Sequence, residues 1–230
     1  MATAREHGWW PYLVPYAVFL LLVEVQARLP EGASPWLLPL KVAVPAALLL
    51  FFASRGAYPE LRGFRPGTGI LLDIAVGMGL ALLWVVPYLV FEDLPRGSEP
   101  FDPQALGADA RPFVLGLRLV GFAAVTPFVE ELFVRSFLLR VVDVLWDARG
   151  DFRKVPIGQF RWPGFVGTSL WFTFSHAPWE WIVAAPTGVI FTLWLYRRRH
   201  IGATIVAHAA TNAAIWLLVV LGPLDLWVFL

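Results

Sequence analysis

Residues 112–138 read PFVLGLRLVGFAAVTPFVEELFVRSFL. An apolar run of this length exceeds the roughly 20 helical residues that cross the hydrocarbon core of a bilayer. It nevertheless carries Arg118, Glu130, Glu131 and Arg135. Ionisable groups at such depth are costly, so they face a polar interior and usually serve a purpose. Similar runs occupy 9–27, 36–54, 69–91, 163–178, 181–196 and 200–221. The expected fold is therefore all-α: a polytopic transmembrane helical bundle of about seven spans, or eight, in a single integral membrane domain over 1–230. The fifth and sixth runs are short and separated only by 176–180, which suggests a tight hairpin whose tip need not cross fully.

Composition agrees with a lipid environment. Hydrophobic residues make up 58% of the 230 and charged residues 15%, against about half and a quarter in ordinary soluble domains. Several of the 12 Trp sit at run ends (Trp9, Trp10, Trp36, Trp162, Trp181), as headgroup-level anchors do. A net charge of +1, without an extended basic face, argues against nucleic acid as a partner. The lack of cysteine removes disulfides, thiolate nucleophiles and Cys-ligated metals. Arg5 ahead of an apolar stretch, with Val25-Gln26-Ala27 beyond it, loosely resembles a signal peptide. A retained first span is preferred because further spans follow and the charge asymmetry fits it.

That asymmetry lies in the loops. Arg55, Arg62 and Arg65, then Arg140, Arg149, Arg153, Lys154 and Arg161, then Arg197 to Arg199 fall on one side of a seven-span arrangement. The loop opposite carries Glu92, Asp93, Glu99, Asp102 and Asp109. The basic side is expected to be cytoplasmic, with the N-terminus. Residues 139–161 read either as an interfacial extension of the fourth span or as a solvated loop with one helical turn. Glu24, Lys41, Arg118 and Glu180 have similar estimated depths near the other face and are expected to form structural ion pairs between spans.

Within 112–138, Glu131 and Arg135 are i,i+4 neighbours that can neutralise each other. Glu130 points about 100° away on a helix and is left without a local partner, which suits a general base or acid. Pro127 frees a carbonyl one turn earlier. His176 ends the fifth run, four residues after Phe172, and Glu180 follows four residues later across Pro178. His208 and Asn212 share one face of the seventh run among small residues, where they could form either an oxyanion-binding pair or an interhelical polar clamp. Depth counting brings Glu130 and His208 to about 10 Å from the inner face and His176 to about 20 Å. Convergence of the three does not follow from counting alone.

The ordered set Glu130-Glu131-x3-Arg135, Phe172-x3-His176 and His208-x3-Asn212 resembles the CAAX-protease and bacteriocin-processing family of intramembrane proteases, also called the Abi family. The motif-bearing part is 112–221. Within the family, the length and the Ser-His-x3-Glu-Trp run at 175–181 are similar to the CAAX prenyl protease-related proteins of bacterial exosortase systems. The resemblance implies an endopeptidase in which Glu130 and His176 activate a water and His208 and Asn212 stabilise the oxyanion. Glu131, Arg135 and Phe172 would support them. It implies a membrane-associated peptide or protein as substrate, the lipid bilayer as partner, and the bacterial cytoplasmic (inner) membrane as location. It leans towards a glutamate mechanism with no cofactor; the alternative is zinc held by Glu130, His176 and His208. Rival functions are a non-catalytic scaffold or immunity-type membrane protein, and a proton-coupled transporter.

Overall fold

The computed structural model describes residues 8–28, 34–65, 67–97, 107–147, 150–222 and 224–229. Arg5, Arg149, Glu99 and Asp102, used above for orientation, lie outside them, as does the side chain of Trp36. The described residues are helical, without strands. The helices are α1 (Trp10–Arg28), α2 (Ser34–Ser54), α3 (Gly69–Val90), α4 (Gly107–Leu119), α5 (Thr126–Glu130), α6 (Leu139–Asp147), α7 (Trp162–Phe174), α8 (Trp181–Arg198) and α9 (Ile201–Leu221). π-Helical segments Val120–Val125 and Glu131–Leu138 join α4, α5 and α6 into one unbroken long helix. Seven helical rods result, with bounds close to the apolar runs.

By length and composition, Leu37–Ser54, Gly69–Val90, Asp109–Trp146 and Ile201–Leu221 can each cross a membrane; Trp10–Gln26 is apolar but shorter. The burial pattern is that of a protein whose solvent is lipid. Asp73, Glu131, Arg135, Asp143 and several threonines are buried, while Leu21, Leu50, Leu71, Leu72 and Leu221 lie outside at 60% exposure or more. Water would favour the reverse distribution.

The fifth run departs from its expected bounds of 163–178. The helix α7 ends at Phe174, because Ala177 precedes Pro178 and takes an extended conformation (φ −61°, ψ 145°). The proline ring clashes with a helical residue before it. A 3-10 turn, Pro178–Glu180, then leads into α8. Thirteen residues rise only about 20 Å, so α7 is shorter than a bilayer core and brings His176 to mid-bundle. Within 139–161, residues 139–147 extend the fourth span as one reading expected, with polar side chains packed into the bundle. The long helix continues to Asp147, buries Arg140 and Asp143, and docks on α7 through Asp143 Oδ1, which accepts from the Gly164 N–H at 2.9 Å. Only the opposite face presents Leu145 and Trp146 outward.

Two contacts fix the rods around the site. The most extensive pairing is α3 with α9, where a Cβ on Gly77 would strike the Ala207 carbonyl and the Ala210 methyl. Small residues on both faces thus let the backbones touch. At the far end, Asp73 accepts from Arg198 at 2.8 and 3.0 Å and from the Trp194 indole at 2.9 Å, tying α3 to α8. Two carboxylates of the expected inter-span layer have partners close in sequence. Glu24 pairs with Arg28 on its own helix, and Glu180 accepts from the Ala177 N–H at 3.2 Å. Lys41 and Arg118 line one cavity. Short side chains on neighbouring turns reach local partners before distant ones.

Candidate active site

The long helix supplies the first functional side chains, and its π segments decide where they point. At the first segment the Thr126 N–H bonds to the Gly121 carbonyl, five residues back. In that register the Phe122 carbonyl should receive Pro127, which has no N–H to give. Asn212, from α9, fills the gap: its Nδ2 donates to the Phe122 carbonyl at 2.7 Å. Proline, π bulge and asparagine are therefore one device that clamps α9 to the long helix. The second N–H of the Asn212 amide remains for another acceptor.

At the second π segment Glu131 and Arg135 are fully buried and paired at 3.0 Å. The guanidinium lies 4.4 Å from the Phe172 ring centroid and 5.3 Å from that of Phe191, so aromatic faces share its charge. Glu131 does more than neutralise Arg135. The same Oε1 lies 2.9 Å from His208 Nδ1. An ionised carboxylate only accepts, so Nδ1 carries the proton and Nε2 turns to the cavity. There Nε2 is 3.9 Å from Glu130 Oε2.

His176 is held in the same way. Its Nδ1 lies 2.6 Å from the Phe172 carbonyl, which can only accept, leaving Nε2 as a bare acceptor. The ring packs on Phe172 at 4.5 Å and Trp84 at 5.3 Å. Phe172 thus touches Arg135 on one side and His176 on the other. Space for it comes from Gly188, where a Cβ would meet the Phe172 ring at 2.9 Å.

Glu130, His176, His208 and Asn212 line one cavity of about 90 Å³. Glu131 and Arg135 lie behind it. The structure brings together all four residues assigned to the site and places Phe172, Glu131 and Arg135 against them. It adds Glu180, which lines the same cavity. Its His-x3-Glu spacing was the available signal, set aside because Pro178 breaks the helix. The 3-10 turn restores the approach. Glu130, His176 and His208 do not gather as a ligand set: no group of three potential metal ligands occurs among the described residues.

Residues 112–214 match the family model for Rce1-like, type II CAAX prenyl endopeptidase Rce1-like, proteins. The match is consistent with the CAAX-protease and bacteriocin-processing family, which the three motifs in this segment resemble. No curated protein and no solved structure matches the chain.

Proposed function

We propose, from the family-model match over residues 112–214 and the cavity lined there, that the chain is an intramembrane endopeptidase that cleaves a membrane-associated peptide or protein with a Glu/His-activated water. The observation that carries this reading is the meeting of Glu130, His176, His208 and Asn212 at one cavity, from the long helix, the turn after α7 and α9. A water there donates to the Glu130 carboxylate and to the bare His176 Nε2. Glu130 takes its proton as the oxygen attacks the scissile carbonyl carbon. The resulting oxyanion accepts from the second Asn212 N–H and from His208 Nε2–H. For Nε2 to donate, the His208 ring carries two protons, and its charge is balanced by Glu131 at 2.9 Å and Glu130 at 3.9 Å. Collapse of the intermediate breaks the C–N bond, and the departing amine takes the proton from Glu130. The chain sits in the bacterial cytoplasmic membrane with its N-terminus inside, a placement supported by the basic loops.

Comparing new peptide termini in membranes of cells expressing the parent chain or Glu130→Gln identifies the substrate. Purified protein acting on that substrate is expected to keep its rate after exhaustive chelation. His208→Ala is expected to lower kcat by about 100-fold with little change in KM, and Asn212→Ala by less, because oxyanion donors act mainly in the transition state. Activity lost on chelation and recovered with Zn²⁺ would replace the water-activation step with a metal-dependent one.

A further inference from the structure

The reaction proposed above gives work to Glu130, His176, His208 and Asn212 and none to Glu180, although Glu180 lines the same cavity. Much of the wall around it is aromatic, formed by Trp84, Phe122, Phe172, Phe191 and Phe229. An acid among such rings at bilayer depth is costly. Local architecture asks for less than an acid. Glu180 Oε2 accepts the Ala177 N–H at 3.2 Å, and the Glu180 N–H donates to the Ala177 carbonyl at 2.8 Å. A glutamine amide oxygen would accept the same N–H. The turn is also held without the carboxylate. The Trp181 indole donates to the His176 carbonyl at 3.0 Å, and the Tyr88 hydroxyl to the Trp179 carbonyl at 2.6 Å. The turn thus explains an oxygen at position 180 and leaves the acid unexplained. A carboxylate that holds one N–H has further lone pairs to offer. The cavity's volume of about 90 Å³ corresponds to ~3 waters at liquid density. Glu180 is therefore within a short chain of hydrogen bonds of whatever reacts at Glu130.

The proposed reaction creates a need on the nitrogen side. His208 and Asn212 receive the oxyanion, but the scissile nitrogen becomes positive before it leaves. Glu130 gives the proton it took from water to the nitrogen lone pair, and the nitrogen then carries two N–H bonds and a positive charge. The new N–H points back to Glu130, and His176 Nε2 is engaged by the attacking water. The original N–H has no acceptor among the groups given a role so far. A charged donor left unpaired in a site of low dielectric is expensive. We infer that Glu180 is a further catalytic residue of this cavity, whose carboxylate accepts the original N–H of the scissile nitrogen and balances the charge that develops there. The inference deepens the protease reading and rests on it for the reaction. Collapse then returns the oxyanion pair to the C=O bond, the C–N pair leaves with nitrogen, and the amine takes the last proton from the new carboxylic acid. Carboxylate and ammonium result, and both glutamates end ionised as they began. Because the charge on nitrogen appears only after the ground state, Glu180 acts on kcat more than on KM. An ester has oxygen in place of the scissile N–H and leaves as a neutral alcohol, so it gives Glu180 nothing to accept.

The test uses the full chain in liposomes with two synthetic substrates that span the cleavage site found in membranes. One is the peptide, and the other is the depsipeptide in which oxygen replaces the scissile N–H. Glu180→Gln is expected to lower kcat on the peptide by about 10- to 100-fold and on the depsipeptide by less than about threefold, with KM little changed. Glu180→Asp, which keeps the charge, is expected to stay within about tenfold of the parent on the peptide. The ratio of the two rates does not depend on the folded fraction, since misfolded protein lowers both alike. Glu180→Ala, read by the same ratio, is the second neutral variant. An equal fall on both substrates, or no fall on either, overturns the assignment of Glu180. Glu130→Gln is expected to abolish cleavage of both, because both need the activated water. Loss of both activities in Glu130→Gln with an unchanged ratio in Glu180→Gln counts against Glu180 alone. Parent-rate cleavage by Glu130→Gln counts against the protease mechanism itself, and the role of Glu180 falls with it.

Discussion

Glu130→Gln is expected to reduce turnover by about 100- to 10,000-fold and to leave substrate affinity within about threefold. The glutamine keeps the shape and hydrogen-bonding reach of the carboxylate but cannot take the proton from water. The side chain is also suited to conservative replacement: it is 16% exposed to the cavity and stands 3.9 Å from His208 Nε2. It takes no part in the Glu131–Arg135 pair. Loss of activity with a normal melting curve in detergent, and unchanged binding of the uncleaved substrate, is the expected signature. A fall in stability parallel to the fall in activity would assign Glu130 to architecture.

The largest effect on stability is expected at Arg135. Arg135→Ala strands the fully buried Glu131 carboxylate and empties the space against Phe172 and Phe191. Breaking one side of a buried pair typically costs about 3–5 kcal/mol, enough to remove most folded protein from the membrane fraction. Replacing both partners, Glu131→Gln with Arg135→Met, leaves no buried charge and is expected to recover most of that stability, as read by thermal unfolding and yield. Activity is not expected to return with it. The neutral amide at position 131 no longer fixes His208 Nδ1 as a donor to a carboxylate, nor balances a charged ring. Recovery of stability without recovery of turnover separates the structural part of the pair from its positioning of His208.

The sequence carried the rods further than the joints. Apolar runs gave the helix bounds because lipid-facing faces must be apolar over a set length, although α8 runs on to Arg198, into the expected 196–200 connection. The pairing of Glu131 with Arg135 was readable because i,i+4 neighbours meet wherever the helix goes. The stop of α7 at Phe174 was signalled by Pro178, though not its result, a 3-10 turn that brings Glu180 to the cavity His176 also lines. The remaining features are non-local. Pro127 announces a freed carbonyl, but only the tertiary structure says that Asn212 answers it. Glu131 lies behind the cavity. Its bond to His208, 77 positions away, has no trace in either helix alone. The same holds for Lys41 and Arg118, whose estimated depths suggested ion pairs with Glu24 and Glu180. Those carboxylates found partners within four residues, and the two cations line one cavity.

The central claim is that Glu130 activates water to cleave a peptide bond inside this bundle. Its most direct test is cleavage in H₂¹⁸O by purified chain in liposomes, using the substrate identified from membrane peptide termini, with products weighed by mass spectrometry. The account predicts one ¹⁸O in each newly formed carboxylate with the parent chain, with or without chelator, and no product above background with Glu130→Gln. Product formed at the parent rate by Glu130→Gln would contradict it.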